Sequence, residues 1–132
     1  MATLSNPRFE VDILTGMPND YRVISTVNID FTPFEAFLVN AGLPLQLQSH
    51  IWAYDQGLAD STDDLLFSFP TQSITAPGTY TFTATVPRSL LNEDNTFYDK
   101  SDELYSKFSL VSGSNFFPLN IATDSPQVRG LF

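Results

Sequence analysis

The amino-acid sequence predicts an all-β protein, a two-sheet antiparallel β-sandwich of about seven strands with one short helix. Three features support this prediction: segments in which apolar and polar residues alternate, turn-forming residues between those segments, and one stretch with helical spacing. At 132 residues the chain can bury one well-filled core but not two, so we expect a single domain over residues 1–132.

The clearest strand covers residues 79–86, where Tyr80, Phe82, Ala84 and Val86 alternate with threonines. Because successive side chains of a strand point to opposite faces, this segment has one apolar face and one threonine face. The threonine face predicts an ordinary β surface or an edge that accepts a neighbouring chain. A hydroxyl array of the ice-binding kind needs several stacked rows, and this sequence supplies one.

The same alternation predicts the other strands in order along the chain. Phe9, Val11 and Ile13 lead into a turn-rich stretch at 16–20, and a second alternating strand begins at Tyr21, so the two form a predicted hairpin. Later strands are predicted at 45–54, 65–69, 104–111 and 116–123, with segments rich in Gly, Pro, Asp, Asn and Ser between them.

One helix interrupts the strands. Residues 32–35, Thr-Pro-Phe-Glu, supply the N-cap, the first-turn proline and the third-position acid of a capping box. Apolar residues then recur at helical spacing, and Gly42 stands where a helix-terminating glycine is expected. These apolar residues are Phe34, Phe37, Leu38 and Ala41. The sequence therefore predicts a helix over residues 33–41.

The head of the threonine-rich strand carries a short motif. Gly78 followed by Tyr80 resembles the tyrosine corner of immunoglobulin-like sandwiches. The resemblance implies that the Tyr80 hydroxyl bonds to the backbone a few residues upstream. It covers only these residues, and the Cys-Trp-Cys spacing of true immunoglobulin domains is missing because the chain has no cysteine. It therefore supports a sandwich and not a particular family.

The acidic charge of the chain and its lack of long apolar segments limit the partners that it can bind. Fifteen acidic and six basic residues give a net charge of −9, which repels nucleic-acid phosphates and anionic lipid headgroups. No segment approaches the ~18 apolar residues of a membrane span. We therefore expect no nucleic-acid partner and no membrane partner. The first residues lack the basic and apolar parts of a signal peptide, so we expect cytoplasmic synthesis, with later incorporation into a particle or release as an assembly.

One predicted strand has an outward face rich in amide and aromatic side chains. These residues are Gln46, Gln48, His50, Trp52 and Tyr54. Amides hydrogen-bond hydroxyl groups and an indole offers a flat stacking surface, so the face suits a protein or carbohydrate partner. An alternative is that Trp52 turns into the core through a bulge. We predict this face as the contact set, with Leu131 and Phe132 second.

Acidic residues crowd two of the predicted loops. Calcium takes about six to eight oxygen ligands, which two neighbouring loops of a sandwich can supply, as in C2-like domains by analogy of architecture. The alternative is a solvated acidic surface, because the spacing does not fit the EF-hand template. The candidate ligands are Asp55, Asp60, Asp63, Asp64, Asp94, Asp99 and Asp102.

Catalytic groupings are scarce in the sequence. His50 is the single histidine, and there is no nucleophile elbow, phosphate loop or dinucleotide-binding glycine pattern. We therefore predict a structural or assembly protein that is not an enzyme, has no cofactor, and works as a homo-oligomer or as part of a larger assembly. The alternative is a ligand-binding sandwich module, which takes calcium through its acidic loops or carbohydrate through the face around Trp52.

Overall fold

A computed structural model of the chain describes residues 2–13, 20–53, 64–87, 102–113 and 119–130. These residues form nine strands and one helix. Their bounds are β1 (Thr3–Ile13), β2 (Asp20–Asp30), α1 (Pro33–Asn40), β3 (Leu45–Ala53), β4 (Asp64–Ser68), β5 (Gln72–Ile74), β6 (Gly78–Pro87), β7 (Asp102–Ser112), β8 (Asn120–Asp124) and β9 (Val128–Gly130).

The strands form two antiparallel sheets, which confirms the predicted sandwich. The smaller sheet has the order β1-β2-β6. The larger, six-stranded sheet has the order β4-β3-β7-β8, with β5 also on β3 and β9 also on β7. The opening hairpin of β1 and β2 is confirmed, whereas its turn at 16–19 lies outside the described residues. Sequence reasoning missed β5 and β9, because three residues are too few to show an alternation.

Alternation along each central strand fills the space between the sheets. On β2 the inner side chains include Val23, Val27 and Ile29, none of which is exposed, and on β3 they include Leu47 and Ile51. Each such side chain stabilises the fold by about 1.5 to 3 kcal/mol relative to its exposed state. Apart from the buried serines Ser25 and Ser49, the polar residues of these two strands lie at the more exposed, alternate positions.

Aromatic rings connect the two sheets at the centre of the core. Phe82 of β6 lies 5.5 Å from Phe69 and 6.4 Å from Phe108 of β7, measured between ring centroids. Phe67 meets Phe69 edge to face at 5.1 Å. The Tyr80 hydroxyl donates a hydrogen bond to the carbonyl of Ala76, four residues upstream, as predicted from the sequence.

The helix α1 has the predicted start and ends at Asn40, one residue before the predicted end, and its buried residues are Glu35 and Val39. The Thr32 and Glu35 capping box is formed, and Gly42 has a φ of 107°, which glycine adopts without strain. Phe34 and Phe37 are 58% and 66% exposed, so the pair that defined the helical spacing points to solvent. No helix of the described residues is long and apolar enough to cross a membrane.

Glu35 is buried, and it joins the start of α1 to the start of β1. Its carboxylate accepts hydrogen bonds from the backbone nitrogen of Thr32 at 3.0 Å, from the Thr32 hydroxyl at 2.8 Å and from the backbone nitrogen of Ala2. Burial raises the pKa of Glu35, but these hydrogen bonds outweigh it and leave the pKa below the ordinary value of 4.5. The ionised form is therefore the one that the fold stabilises.

Two kinds of buried serine lie in the core. The hydroxyls of Ser49 and Ser106 hydrogen-bond each other at 2.8 Å between β3 and β7. Ser25 lies on β2 directly between Phe9 and Phe82 of the flanking strands. A small side chain fits between two phenylalanines, but the buried Ser25 hydroxyl finds no hydrogen-bond partner in the described part of the chain.

We expect Ser25→Ala to raise the free energy of unfolding by up to about 1 kcal/mol, because it removes a buried hydroxyl without a partner. The matched variant Ser49→Ala leaves the Ser106 hydroxyl unpaired and should lower the same quantity by about 1 to 3 kcal/mol. Urea unfolding of both variants measures the difference. Equal destabilisation by the two substitutions would contradict the assignment of the Ser25 hydroxyl.

Acid should weaken the fold through Glu35. Because its pKa in the folded protein lies below 4.5, its stabilising contribution is complete above pH 4.5 and is lost as the pH falls through the folded value. We expect Glu35→Gln to lower the free energy of unfolding at pH 7 by about 1 to 3 kcal/mol and to flatten the decline in acid. Thermal melts between pH 3 and pH 7 test this, and parallel profiles for the variant and the wild type would refute it.

Candidate contact face of the larger sheet

The outer face of the larger sheet carries four of the five residues predicted for contact. Gln46 is exposed, and Gln48, His50 and Trp52 are half-buried, each alternating with buried residues of β3. Trp52 does not turn into the core: the alternation of β3 continues past it, and the register shift at this point lies on β4. Tyr54 lies outside the described residues, as do Leu131 and Phe132.

Neighbouring strands extend this face on both sides of β3. Antiparallel pairing places Lys107 of β7 beside His50 and Asp124 of β8 beside Lys107. In the same way Ser109 lies beside Gln48, and Ser68 of β4 lies beside His50 on its other side. Because directly paired residues point to the same side of a sheet, these polar side chains form one surface.

Trp52 forms the apolar end of the face. It pairs with Tyr105 of β7 on one side and with Leu65 of β4 on the other, and Leu65 is 51% exposed. The Nζ atom of Lys107 lies 5.9 Å from the centroid of the indole ring, within the range of a cation–π interaction. The indole nitrogen is shielded from solvent and has no acceptor among the described residues.

His50 lies near the middle of the face as a neutral imidazole. Its Nδ1 atom is 2.8 Å from the Ser68 hydroxyl. Burial lowers the pKa of His50 below its ordinary value of 6.5, and the positive charge of Lys107 lowers it further. Both effects oppose the uptake of a proton, so the contact with Ser68 is a poor arrangement for general-base activation of the serine.

The face carries little charge for so acidic a chain. Of the side chains that the structure describes on it, Lys107 and Asp124 are the charged ones, whereas the whole chain has a net charge of −9. Charged residues are depleted at the centres of protein interfaces, and tryptophan and tyrosine are enriched there. Its low charge and its aromatic end are therefore two features that the face shares with interfaces, whereas its serines are not.

The predicted calcium ligands lie mostly beyond the described residues. Asp55, Asp60, Asp63, Asp94 and Asp99 are outside them, and Asp64 and Asp102 are placed by their backbone as the first residues of β4 and β7. Ala53 pairs with both Asp64 and Leu104, so the two acidic segments join the larger sheet at the same end. Within the described ranges no three potential ligands are grouped closely enough to hold a metal ion.

Sequence reasoning missed two features of the surface. Leu65 belongs to a predicted strand, but nothing in its sequence context showed that it would lie exposed beside Trp52. Phe34 and Phe37 were recognised by their helical spacing, but the sequence did not show that both would be exposed and that the buried side of α1 would carry Glu35 and Val39. The capping-box motif was the available clue, because its glutamate must turn back toward the helix start.

Comparisons with known proteins show little likeness to this chain. No protein-family model and no curated protein sequence matches it. A crystal structure of the ApaA protein from Bordetella pertussis aligns with a TM-score of 0.40 and 14% identity, covering 98% of this chain and 91% of that one. β-Glucosidase 3B from Thermotoga neapolitana in complex with glycerol aligns with a TM-score of 0.37 and 12% identity, covering 98% of this chain and 16% of the enzyme. These scores support no conclusion about function.

Calcium binding is open to a direct measurement. If the acidic segments form a site, calcium at 100 times its dissociation constant should raise the free energy of unfolding by about 2.7 kcal/mol and shift the thermal midpoint upward. Magnesium at the same concentration is the control, because its preferred geometry is tighter. A midpoint that does not move at millimolar calcium would remove the calcium prediction.

Proposed function

We propose that this protein is a non-enzymatic assembly protein that associates with further copies of itself through the outer face of its larger sheet. The observation that carries the proposal is the combination of a half-buried Trp52 and an exposed Leu65 with a nearly uncharged polar row along β3. In a chain with net charge −9, such a face is where like-charged copies can approach each other.

The chemistry of His50 supports a binding role over a catalytic one. Its imidazole is held neutral by burial and by Lys107, and Ser68 is its hydrogen-bond partner among the described residues. A serine nucleophile needs a base that gains a proton in the transition state and a group that stabilises the resulting charge. Among the described residues, the charged residue that acts on His50 is its cross-strand partner Lys107, a cation, which disfavours that state.

The position of Lys107 favours a protein partner over a carbohydrate one. A sugar ring stacks on an open aromatic face, and the Lys107 ammonium occupies space 5.9 Å from the Trp52 ring centroid. A protein surface can contact the indole edge, Leu65 and the amides of Gln46 and Gln48 together. In this proposal, incorporation into a particle or a larger assembly follows from the same face.

Substitution at the centre of the face tests the proposal. We expect Gln48→Glu to reduce the association constant about tenfold or more, because a two-fold contact brings the new charges of both copies close together. The matched control is Thr26→Glu, at a half-buried outward position on the central strand of the smaller sheet. Light scattering over a concentration series measures both. Unchanged association of Gln48→Glu, or equal loss in both variants, would refute this contact.

A further inference from the structure

We propose that the edge of the smaller sheet is a second contact surface, at which β6 of one copy pairs antiparallel with β6 of another about a two-fold axis at Ala84. This surface is separate from the face around Trp52. The pairing would join two three-stranded sheets into one continuous sheet of six strands. Hydrogen bonds between backbone groups would hold it, with side chains setting the register.

β6 is the terminal strand of the smaller sheet. It pairs with β2 on one side and has no strand on the other among those the structure describes. Its register with β2 runs without a shift from Gly78 to Pro87. In an antiparallel pair, alternate residues direct both backbone groups to the neighbour, so the remaining residues direct theirs to the free edge.

A hydrogen bond from the other sheet shows which residues face the free edge. The side-chain nitrogen of Gln72, on β5, donates to the carbonyl of Thr81 at 2.9 Å. Strand carbonyls lie near the plane of their sheet, and Gln72 belongs to the larger sheet and not to β2, so the Thr81 carbonyl points away from β2. By alternation, the backbone groups of Thr79, Thr83 and Thr85 also face the free edge.

Two positions on this edge cannot take part fully in a ladder. The Thr81 carbonyl is already bound by Gln72, and Pro87 has no N–H group to donate. A two-fold axis at Ala84 places Thr81 opposite Pro87 of the second copy. Pro87 cannot donate a hydrogen bond to the Thr81 carbonyl, but that carbonyl already accepts one from Gln72 of its own chain. Thr83 then lies opposite Thr85 of the second copy, and both retain free donors and acceptors.

The composition of β6 identifies a second copy as the partner. None of the ten residues of β6 is charged, and β6 lacks the lysines and internal prolines that usually protect an edge strand. The two acids of β2, Asp20 and Asp30, lie at the ends of that strand, away from the centre of the pairing. A charge-free edge therefore places no charged side chains of the two acidic chains against each other at the contact, and threonine pairs across strands are favourable.

The absence of cysteine allows a test of register. In the proposed pairing the Cα atoms of Thr83 and of Thr85 in the second copy lie about 5.5 Å apart, within disulfide range, whereas Thr83 and its own equivalent lie about 7 to 8 Å apart. We expect an equal mixture of Thr83→Cys and Thr85→Cys chains to form a mixed disulfide dimer under mild oxidation. Each variant alone should form at most a small fraction of it, and Thr26→Cys should behave likewise.

Blocking the edge provides the second variant. Thr83→Pro removes an N–H that faces the free edge and leaves the hydrogen bonds to β2 in place, whereas Thr83→Val keeps the N–H. Each substitution is combined with Thr85→Cys in one chain, and the second chain carries Thr83→Cys. We expect the Thr83→Val chain to form the mixed disulfide dimer, because it keeps the edge contact. We expect the Thr83→Pro chain to form none, because it loses that contact.

The two sets of variants separate this proposal from the proposed function. Selective crosslinking in the mixture supports the edge contact whatever Gln48→Glu does. No crosslink in the mixture, or equal crosslinking in the single-variant samples, overturns the edge contact and leaves the face around Trp52 to be judged by Gln48→Glu alone. Thr83 and Thr85 are both exposed, so neither cysteine substitution removes a buried side chain. The crosslinking of the cysteine variants therefore decides the proposal even if Thr83→Pro misfolds.

Discussion

The packing of Phe82 between the two sheets is the interaction on which the rest of the structure depends. Its ring contacts Phe69 and Phe108 of the larger sheet, and its strand neighbour toward β1 is the small residue Ser25. Dense packing of this kind fixes how the sheets lie over each other. These rings pack against the inner side of the strands that carry the outer faces.

The sequence predicted the strands well because burial on one face imposes a period of two. The alternation in β2, β3 and β6 reappears in their burial, residue by residue. Alternation could not reveal β9, because β8 and β9 are separated by the segment that begins at Ser125. There the Ser125 hydroxyl accepts a hydrogen bond from the backbone nitrogen of Ser106 at 2.8 Å. A side chain that replaces a ladder partner leaves no periodic signal in the sequence.

The candidate site was predictable along one strand but not across strands. The face of Gln46, Gln48, His50 and Trp52 follows from local alternation. The contacts of His50 with Ser68 and of Lys107 with Trp52 depend on register between strands that are distant in sequence. The helix shows the limit of local spacing: Phe34 and Phe37 recur at helical spacing, yet both are exposed, and the buried residue beside them is Glu35, which its hydrogen bonds hold in place. In this helix, the need of the buried carboxylate for hydrogen bonds outweighed the burial of the apolar side chains.

Charge separates the surfaces of the molecule into two kinds. Most of the acidic residues that give the net charge of −9 fall at strand ends, in the helix and in the segments between strands, whereas β3 and β6 carry no acid or base of permanent charge. A uniform repulsive field would keep copies apart. Because the charge is uneven, the uncharged strand β3 in the larger sheet and the uncharged edge strand β6 of the smaller sheet are the places where copies can associate.

The sequence separation between β6 and its partner β2 has a consequence for how the chain must be produced. Asn28 and Thr79, which face each other on β2 and β6, are 51 residues apart in sequence, so a long loop must close before β6 finds its place. Until then both edges of an uncharged, β-prone strand are open to any neighbouring nascent chain. Yield on refolding should therefore depend on dilution, and aggregates recovered at high concentration should have this strand at their centre.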